Sequence, residues 1–161
     1  MDKINTLNKS FGSKPLISIV TVVLNGEKYL EQTIQSITNQ TYKYIEYIII
    51  DGGSTDGTWD ELQAWAEEES RLKVYLVERD WSHPRHAVFD GQQKAEARSR
   101  CTGDYLWQMD ADEVVHEGDY KKIKQLVRNF PKQVEIVSLP VIEYWGSGEK
   151  VRLDVTPWKW R

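Results

Sequence analysis

Residues Leu16 to Leu24 read L-I-S-I-V-T-V-V-L, and this stretch carries the clearest structural signal of the chain. It is almost wholly apolar and rich in β-branched side chains, which is typical of a strand buried on both faces. Asn25 and Gly26 end the run with a turn signal. From Glu27 to Gln40 apolar residues recur at helical spacing, so we predict a helix directly after the strand.

The same alternation continues outward from this unit. Further strands are predicted at Tyr44–Ile50, Val74–Val77, Asp104–Met109 and Val134–Val141, with another around Val151–Val155. Further helices are predicted after the turn-rich loop Asp51–Gly57, over Ala87–Arg100 and over Tyr120–Phe130. Alternating elements favour an α/β fold in which a mostly parallel central sheet has helices on both faces.

The composition is that of a globular protein of ordinary domain size. Of the 161 residues, 40% are hydrophobic and 29% are charged, so we predict one domain at residues 16–161 after a polar lead-in at residues 1–15. The net charge of −4 argues against a nucleic-acid binder, because phosphate backbones select basic surfaces. No apolar run approaches the roughly 20 residues that span a bilayer.

The compartment is predicted from the N-terminus and the cysteine content. The first residues lack the apolar core of a signal peptide. Cys101 is the single cysteine, which excludes an internal disulfide and fits a reducing cytoplasm. We therefore expect a cytoplasmic protein, with any membrane association made through partners.

Three polar clusters each come directly after a predicted strand. They are Asn25, the segment Asp51–Asp56 and the segment Asp110–Glu113. The carboxyl ends of parallel strands meet at one edge of a sheet, and ligands of such sheets bind beyond that edge. The sequence thus predicts a single site built from these clusters.

The third cluster has the pattern of a metal site. Residues Tyr105 to Glu113 read Y-L-W-Q-M-D-A-D-E, so an apolar run ends in Asp110 and Asp112. Side chains two apart on an extended backbone point the same way, and two such carboxylates repel unless a proton or a metal lies between them. Mg²⁺ or Mn²⁺ is a natural partner of carboxylate oxygen. The alternative is a solvated turn or a helix start capped by Asp112 or Glu113, and this short motif alone leaves both open.

The second cluster contains the glycine-rich run G-G-S-T-D-G-T, Gly52 to Thr58. It is not a P-loop, because Thr58 stands where that motif needs lysine, and it lacks the dinucleotide pattern G-x-G-x-x-G. A tight turn and a helix cap explain the glycines and the hydroxyl residues equally well. Asp51 differs, because it ends an apolar strand where a ribose or a base would be met.

Three blocks in order resemble the nucleotide-sugar-binding part of the family 2 glycosyltransferases. They are I-S-I-V-T-V-V-L-N-G-E-K-Y-L-E-Q-T-I-Q-S-I-T-N-Q-T-Y at Ile17–Tyr42, E-Y-I-I-I-D-G-G-S-T-D-G-T at Glu46–Thr58, and T-G-D-Y-L-W-Q-M-D-A-D-E at Thr102–Glu113. The resemblance covers about Leu16 to Phe130. It implies the GT-A fold, a Rossmann-like three-layer sandwich.

The resemblance also implies an activity. A sugar would pass, with inversion, from a nucleotide diphosphate sugar to a hydroxyl of a saccharide or lipid-linked acceptor, as in polysaccharide biosynthesis. Mn²⁺ or Mg²⁺ would neutralise charge on the departing diphosphate.

The same resemblance assigns site residues. Asp110 and Asp112 would hold the metal, and Lys94 would meet the diphosphate, although a solvated helix lysine is an equal alternative. The full implied nucleotide-sugar-binding set is Thr21, Val22, Leu24, Asn25, Asp51, Lys94, Asp110 and Ala111.

Two positions depart from the family pattern. Leu24 stands where many relatives have tyrosine, and Gly52 where many have a second aspartate. Trp81 has two interpretations, stacking on a sugar or packing in the core. His83 and His86 could bind a metal or a sugar, and a plain loop is the interpretation that we favour.

The acceptor side is the least determined part of the sequence. Relatives place the general base well beyond the D-x-D motif, and only 49 residues come after Asp112 (161 − 112), so we expect a truncated chain. Glu143, Glu149 and Asp154 are weak candidate bases. A nucleotide-sugar-binding fragment without turnover is therefore an alternative.

A haloacid-dehalogenase-like phosphatase is a second alternative. It would use Asp110 as the phosphorylated nucleophile and Asp112 as the acid/base. That class places its motif on the first strand, and here it lies after the fourth predicted strand.

Overall fold

The computed structural model describes residues 14–82, 86–110, 113–129, 131, 133–139, 142, 144 and 146–151. Strands and helices alternate as predicted through the first four strands. The elements are β1 (Ile17–Val23), α1 (Glu27–Thr38), β2 (Ile45–Asp51), α2 (Thr58–Glu68), β3 (Leu72–Leu76), α3 (His86–Ser99), β4 (Tyr105–Gln108), a 3₁₀ turn (Glu117–Asp119) and α4 (Tyr120–Arg128). Among the described helices, none is both long and apolar enough to cross a bilayer.

The four strands form one parallel sheet in the order β3-β2-β1-β4. Ile17 pairs with Ile45 on one side and with Tyr105 on the other, so β1 is central. Chain order and sheet order differ because β4 adds beside β1 and not beside β3. The strand order therefore reverses between β1 and β4, and the carboxyl ends of all four strands share one edge.

Helices cover both faces of the sheet, as predicted. One face packs α1 and α2 against alternate residues of β2, and the other packs α3 against the remaining ones. The first core cluster contains Leu30, Ile34, Tyr47, Ile49, Leu62 and Leu72, and the second contains Val20, Ile48, Ile50 and Ala97. All seven residues of β2 are buried, which explains why this strand reads as an unbroken apolar run ending in Asp51.

A buried carboxylate holds the start of β4 at the opposite edge. Glu46 accepts hydrogen bonds from the backbone N–H groups of Thr102 and Gly103 and from the Ser18 hydroxyl. Lys73 Nζ lies 2.9 Å from its Oε2. Burial works to raise the pKa of Glu46, but these hydrogen bonds outweigh it and lower the pKa to about 2. The turn before β4 is thus bound to β1 and β2 through one side chain.

The predicted strand at Val134–Val141 is wrong over the described residues 134–139, which form no strand. The run has strand-like apolar residues but no partner strand in the described ranges, and Ile136 is 84% exposed. An isolated antiparallel bridge joins Tyr144 and Val151, and the rest of the strand predicted at Val151–Val155 lies outside the described residues. A strand forms only where another strand satisfies its backbone groups.

Backbone contacts divide the chain into two compact units, one ending at Val114 and the other beginning at Val115. The first unit contains the whole sheet and the helices α1 to α3. In the second unit α4 carries its apolar residues Ile123, Leu126 and Val127 half-buried. The prediction of a single domain over residues 16–161 stays a prediction.

Candidate functional site

The loops after β1 and β2 are hydrogen-bonded to each other at the carboxyl edge. Asn25 has a positive φ of 53°, and its Oδ1 accepts the N–H of Thr55 at 2.8 Å while its own N–H donates to Ser54 Oγ at 2.8 Å. The N–H of Gly26 donates to Thr58 Oγ1 at 2.9 Å. The Asn25 side chain, one of the predicted nucleotide-sugar ligands, therefore joins these two loops.

Thr21 and Val22 lie on β1 before this loop. The hydroxyl of Tyr47 donates to Thr21 Oγ1 at 3.1 Å inside the protein, so the Thr21 side chain is engaged in the core. Burial raises the pKa of Tyr47 to about 12, which keeps that hydroxyl a donor. Any contact of Thr21 with a ligand would involve its backbone.

Asp51 ends β2 with one satisfied and one unsatisfied oxygen. Its Oδ1 accepts the N–H groups of Gly53 and Ser54, both at 2.7 Å. Its Oδ2 is buried and has no hydrogen-bond partner among the residues that the structure describes. Leaving a buried acceptor unpaired costs about 1–3 kcal/mol, so this oxygen is a candidate ligand contact.

Trp81 packs onto Gly52, one of the two positions that depart from the expected family pattern. Its Nε1–H donates to the Gly52 carbonyl at 2.8 Å, and a Cβ added to Gly52 would lie 2.7 Å from the indole ring. The ring also meets Phe89 edge-to-face at 6.3 Å between centroids. The missing side chain at Gly52 makes room for Trp81, and a packed wall of the site is the interpretation that these contacts favour for this tryptophan.

Lys94 of α3 is paired with the first carboxylate of the D-x-D motif. Its Nζ lies 2.9 Å from Asp110 Oδ1, 3.0 Å from Asp110 Oδ2 and 3.1 Å from Asp90 Oδ2, and its side chain is only 18% exposed. Burial works to lower the pKa of Lys94, but the two carboxylates outweigh it and raise the pKa above its ordinary value. Lys94 is therefore a fixed cation at this edge and not the solvated lysine of the alternative interpretation.

Asp110, after the end of β4, is hydrogen-bonded to Glu113. Its N–H donates to Glu113 Oε2 at 2.9 Å, and the N–H of Glu113 donates to the Asp110 carbonyl at 3.1 Å. Two predicted site residues, Ala111 and Asp112, lie outside the described residues. In the described part of the chain no group of three or more His, Cys, Asp or Glu side chains could hold a metal ion.

Of the three candidate bases, only Glu149 lies among the described residues. Glu143 and Asp154 lie outside those residues, as does His83, and the side chain of His86 is not described. Glu149 is exposed in the second unit, where its N–H donates to Ser147 Oγ at 3.4 Å. Their role as bases stays a prediction.

A cavity of about 160 Å³ opens between the end of β1 and the start of α3. Two of the predicted site residues, Val22 and Leu24, line it together with four others, of which Asp90 and Gln93 were not predicted and Trp81 had two interpretations. The described residues that line it are Val22, Val23, Leu24, Trp81, Asp90 and Gln93. The burial of Gln93 could have been predicted from the sequence, because it lies four residues before Ala97 in a helix. This spacing puts both residues on the buried face of α3.

Comparisons with known proteins agree with this architecture. The family model described as Glycosyl transferase family 2 matches residues 18–154. An uncharacterized glycosyltransferase of Haemophilus influenzae is 37% identical over 123 residues, which cover 76% of this chain and 45% of the relative. Glycosyltransferase GlyG of Streptococcus pneumoniae is 30% identical over 122 residues, which cover 76% of this chain and 38% of that protein. This chain thus spans less than half the length of these relatives.

A solved structure shares the fold. The crystal structure of S. aureus TarS 1-349 superposes with a TM-score of 0.54 at 21% identity, covering 70% of this chain and 32% of that one. The predicted GT-A architecture is thereby confirmed. Because the family model matches residues 18–154, which are most of its length, the chain belongs to glycosyl transferase family 2.

Proposed function

We propose that this chain binds the nucleotide diphosphate sugar of a glycosyltransferase that transfers the sugar, with inversion, to an acceptor hydroxyl. One observation carries the proposal. A fixed cation and acceptor carboxylates lie at the ligand-binding edge of a parallel sheet: Lys94 held on Asp110, and Asp51 with an unpaired buried oxygen. The negative charge of a diphosphate is stabilised by a cation such as Lys94. A nucleoside carries hydrogen-bond donors that an unpaired carboxylate oxygen, such as Asp51 Oδ2, can accept.

The nature of the donor is supported by a protein of the same fold. TarS 1-349 has been solved in complex with UDP and with UDP-GlcNAc. For this chain a nucleotide sugar is the corresponding partner, with Asp51 facing the nucleoside and Lys94 facing the diphosphate. The sugar and the acceptor are left unassigned.

A divalent cation fits the chemistry of this edge. The side chain of Asp110 is 45% exposed and carries two carboxylate oxygens, and Asp112 comes two residues later in the sequence. Oxygen-only ligands suit Mg²⁺ or Mn²⁺, so these two aspartates would hold the ion. When bound, the ion supplies Lewis-acid stabilisation of the negative charge on the diphosphate leaving group.

The side chains of this chain supply the remaining steps that we propose. Lys94 keeps its proton, because the two carboxylates raise its pKa, and so it presents a permanent positive charge to the phosphate oxygens. Asp51 Oδ2 accepts a hydrogen bond from the nucleoside and fixes its position. A carboxylate takes the proton of the acceptor hydroxyl, with Glu143, Glu149 and Asp154 as the candidates in this chain.

Donor binding is tested by calorimetry with UDP-, GDP- and dTDP-sugars in the presence of Mn²⁺. The variant Asp110→Asn removes one carboxylate charge, and we expect it to weaken metal-dependent donor binding by at least about tenfold. Asp60→Asn, at an exposed position of α2, is the matched control and should bind as the unchanged chain does. Equal affinity of both variants for donor and Mn²⁺ would contradict the assignment of the site.

Turnover is tested separately from binding. Release of nucleoside diphosphate on mixing donor, Mn²⁺ and acceptor saccharides indicates a transferase, and binding without release indicates the alternative of a binding fragment. Membership of glycosyl transferase family 2 leaves the phosphatase alternative without support.

A further inference from the structure

Gln93 is a buried polar residue that the proposed function leaves unused. It lies on the sheet-facing side of α3 with 1% of its surface exposed. Its Nε2 donates a hydrogen bond to the carbonyl of Val77, just beyond the end of β3. Its Oε1 is buried and has no hydrogen-bond partner within the part of the chain that the structure describes.

The Val77 carbonyl fixes which way this amide faces. If the amide were flipped, Oε1 would lie against the Val77 oxygen, and two acceptors would repel each other. The Oε1 atom of Gln93, which can only accept hydrogen bonds, therefore points away from the Val77 carbonyl. Because Gln93 also lines the cavity of about 160 Å³, Oε1 is the polar atom of this side chain that remains for an occupant of that cavity.

The walls and polar atoms of this cavity favour a flat ring with polar edges as its occupant. Val22, Val23 and Leu24 form one side, and Trp81, fixed on the Gly52 carbonyl, forms another. Val23 is the register partner of Asp51, so the second unpaired acceptor of this edge, Asp51 Oδ2, lies on the neighbouring strand. Two unpaired acceptors beside apolar walls favour a heterocycle whose edge donates hydrogen bonds.

We propose that Gln93 is a specificity-determining residue for the base of the donor nucleotide. This inference rests on the proposed function. Uracil, thymine and guanine carry a hydrogen on the ring nitrogen of their pairing edge, and Oε1 accepts it. Cytosine and adenine carry a lone pair on that nitrogen, which repels Oε1. Oε1 is covered by protein atoms without a ligand. The proposal therefore requires that a cavity wall moves when the base binds.

The test measures base preference and not affinity alone. Calorimetry with Mn²⁺ compares UDP with CDP and GDP with ADP, two pairs that differ at this ring nitrogen. We expect the unchanged chain to bind UDP at least about tenfold more tightly than CDP, or GDP at least about tenfold more tightly than ADP. The reason is that an unpaired or repelled acceptor makes the binding free energy less favourable. In Gln93→Met, which has similar volume but no acceptor, the preference should fall below about threefold. Gln92→Met, at an exposed position of the same helix, is the matched control and should keep the full preference.

The outcomes separate the two proposals. If a nucleotide binds but Gln93→Met keeps the same preference, or if CDP or ADP is preferred, the inference on Gln93 is overturned and the proposed function stands. If neither these four nucleotides nor the UDP-, GDP- and dTDP-sugars bind with Mn²⁺, the proposed function fails, and the inference fails with it.

A second measurement needs no variant, in case Gln93→Met does not fold. The side-chain amide signals of Gln93 in the unchanged chain are monitored by NMR during titration with UDP, CDP, GDP and ADP. We expect them to shift with the preferred nucleotide and to stay in place with its pair member, while those of Gln92 stay unchanged throughout. Equal shifts of the Gln93 signals with both members of each pair, or no shift at all, would overturn the inference.

Discussion

Gly52 shows how the absence of one side chain shapes this site. The indole of Trp81 occupies the space that a Cβ would need and bonds to the Gly52 carbonyl. An aspartate at this position would compete with the ring for that space. The loop after β3 therefore closes over the end of β2 in a way that depends on glycine here.

Two glycine substitutions are expected to act in opposite directions. Gly52→Ala puts a Cβ 2.7 Å from the Trp81 ring, so we expect the free energy of unfolding to fall by about 1–3 kcal/mol. Gly91→Ala has nothing within 4 Å of its Cβ and lies in α3, so the free energy of unfolding should rise by about 0.5–1 kcal/mol. Urea unfolding curves of both variants and the unchanged chain measure this. A Gly52→Ala variant that is as stable as the unchanged chain, or more stable, would contradict the packing of Trp81 on Gly52.

Lys94 shows why charge at a site depends on its partners. On the sequence alone it is one of several lysines on polar helices, and its side chain is fixed by two carboxylates that are 4 and 16 residues away. A cation held in place loses little further side-chain entropy when it meets a phosphate. The residue-scale feature that matters is thus the ion pair with Asp110.

At the scale of elements, β4 connects the buried polar cluster around Glu46 to the ligand-binding edge. Its preceding turn is bound to Glu46, and its carboxyl end leads to Asp110. A strand of four residues paired with β1 along its length leaves little freedom between these two points. The position of Asp110 therefore depends on a buried carboxylate at the far edge of the sheet.

The Glu46 cluster predicts a pH dependence of stability. The pKa of Glu46 falls from its ordinary value of 4.5 to about 2 on folding. A lowered pKa in the folded state means that the stabilisation is complete above pH 4.5 and is lost as the pH falls from 4.5 through about 2. At about 1.4 kcal/mol per pKa unit, the contribution is on the order of 3 kcal/mol.

Glu46→Gln tests this dependence. We expect the variant to be less stable than the unchanged chain at pH 7 and the difference to shrink at pH 3, since protonation removes the same charge. Urea unfolding at the two pH values measures it, with the exposed Glu67→Gln of α2 as the control. A constant difference at both pH values would show that the charge of Glu46 does not stabilise the fold.

At the scale of the whole molecule, donor binding should be linked to stability. The sheet, α1 to α3 and both loops of the site belong to one compact unit, so a ligand at the carboxyl edge stabilises that unit as a whole. At a free donor concentration 100 times its Kd, the expected gain is about 2.7 kcal/mol.

Metal removal provides the control for this linkage. Thermal unfolding is measured with a nucleotide sugar and Mn²⁺, and again after EDTA is added. We expect the donor to raise the Tm only while the ion is present, because the diphosphate is bound through it. A Tm shift that persists in EDTA would show that Lys94 and Asp51 bind the donor without the ion.

The sequence predicted the first four strands and the helices between them, within a few residues. It failed at Val134–Val141, where a strand-like pattern has no partner strand in the described residues. The hydrophobic pattern of a segment indicates which side chains that segment would bury. Whether the segment forms a strand also depends on a second segment that lies at the right distance to pair with it. For the same reason the buried interactions of Glu46 and Gln93 were not predicted.

Sequence by itself determined that this protein is an α/β protein in which three polar clusters follow the carboxyl ends of the strands. Apolar runs, β-branched residues and turn signals act over a few neighbouring residues, so they can be read locally. Only the tertiary structure decided that Lys94 pairs with Asp110, that Trp81 fills the space at Gly52, and that Oε1 of Gln93 is left without a partner in the described part of the chain. These features depend on side chains from separate elements meeting in space, and no local pattern specifies which of them meet.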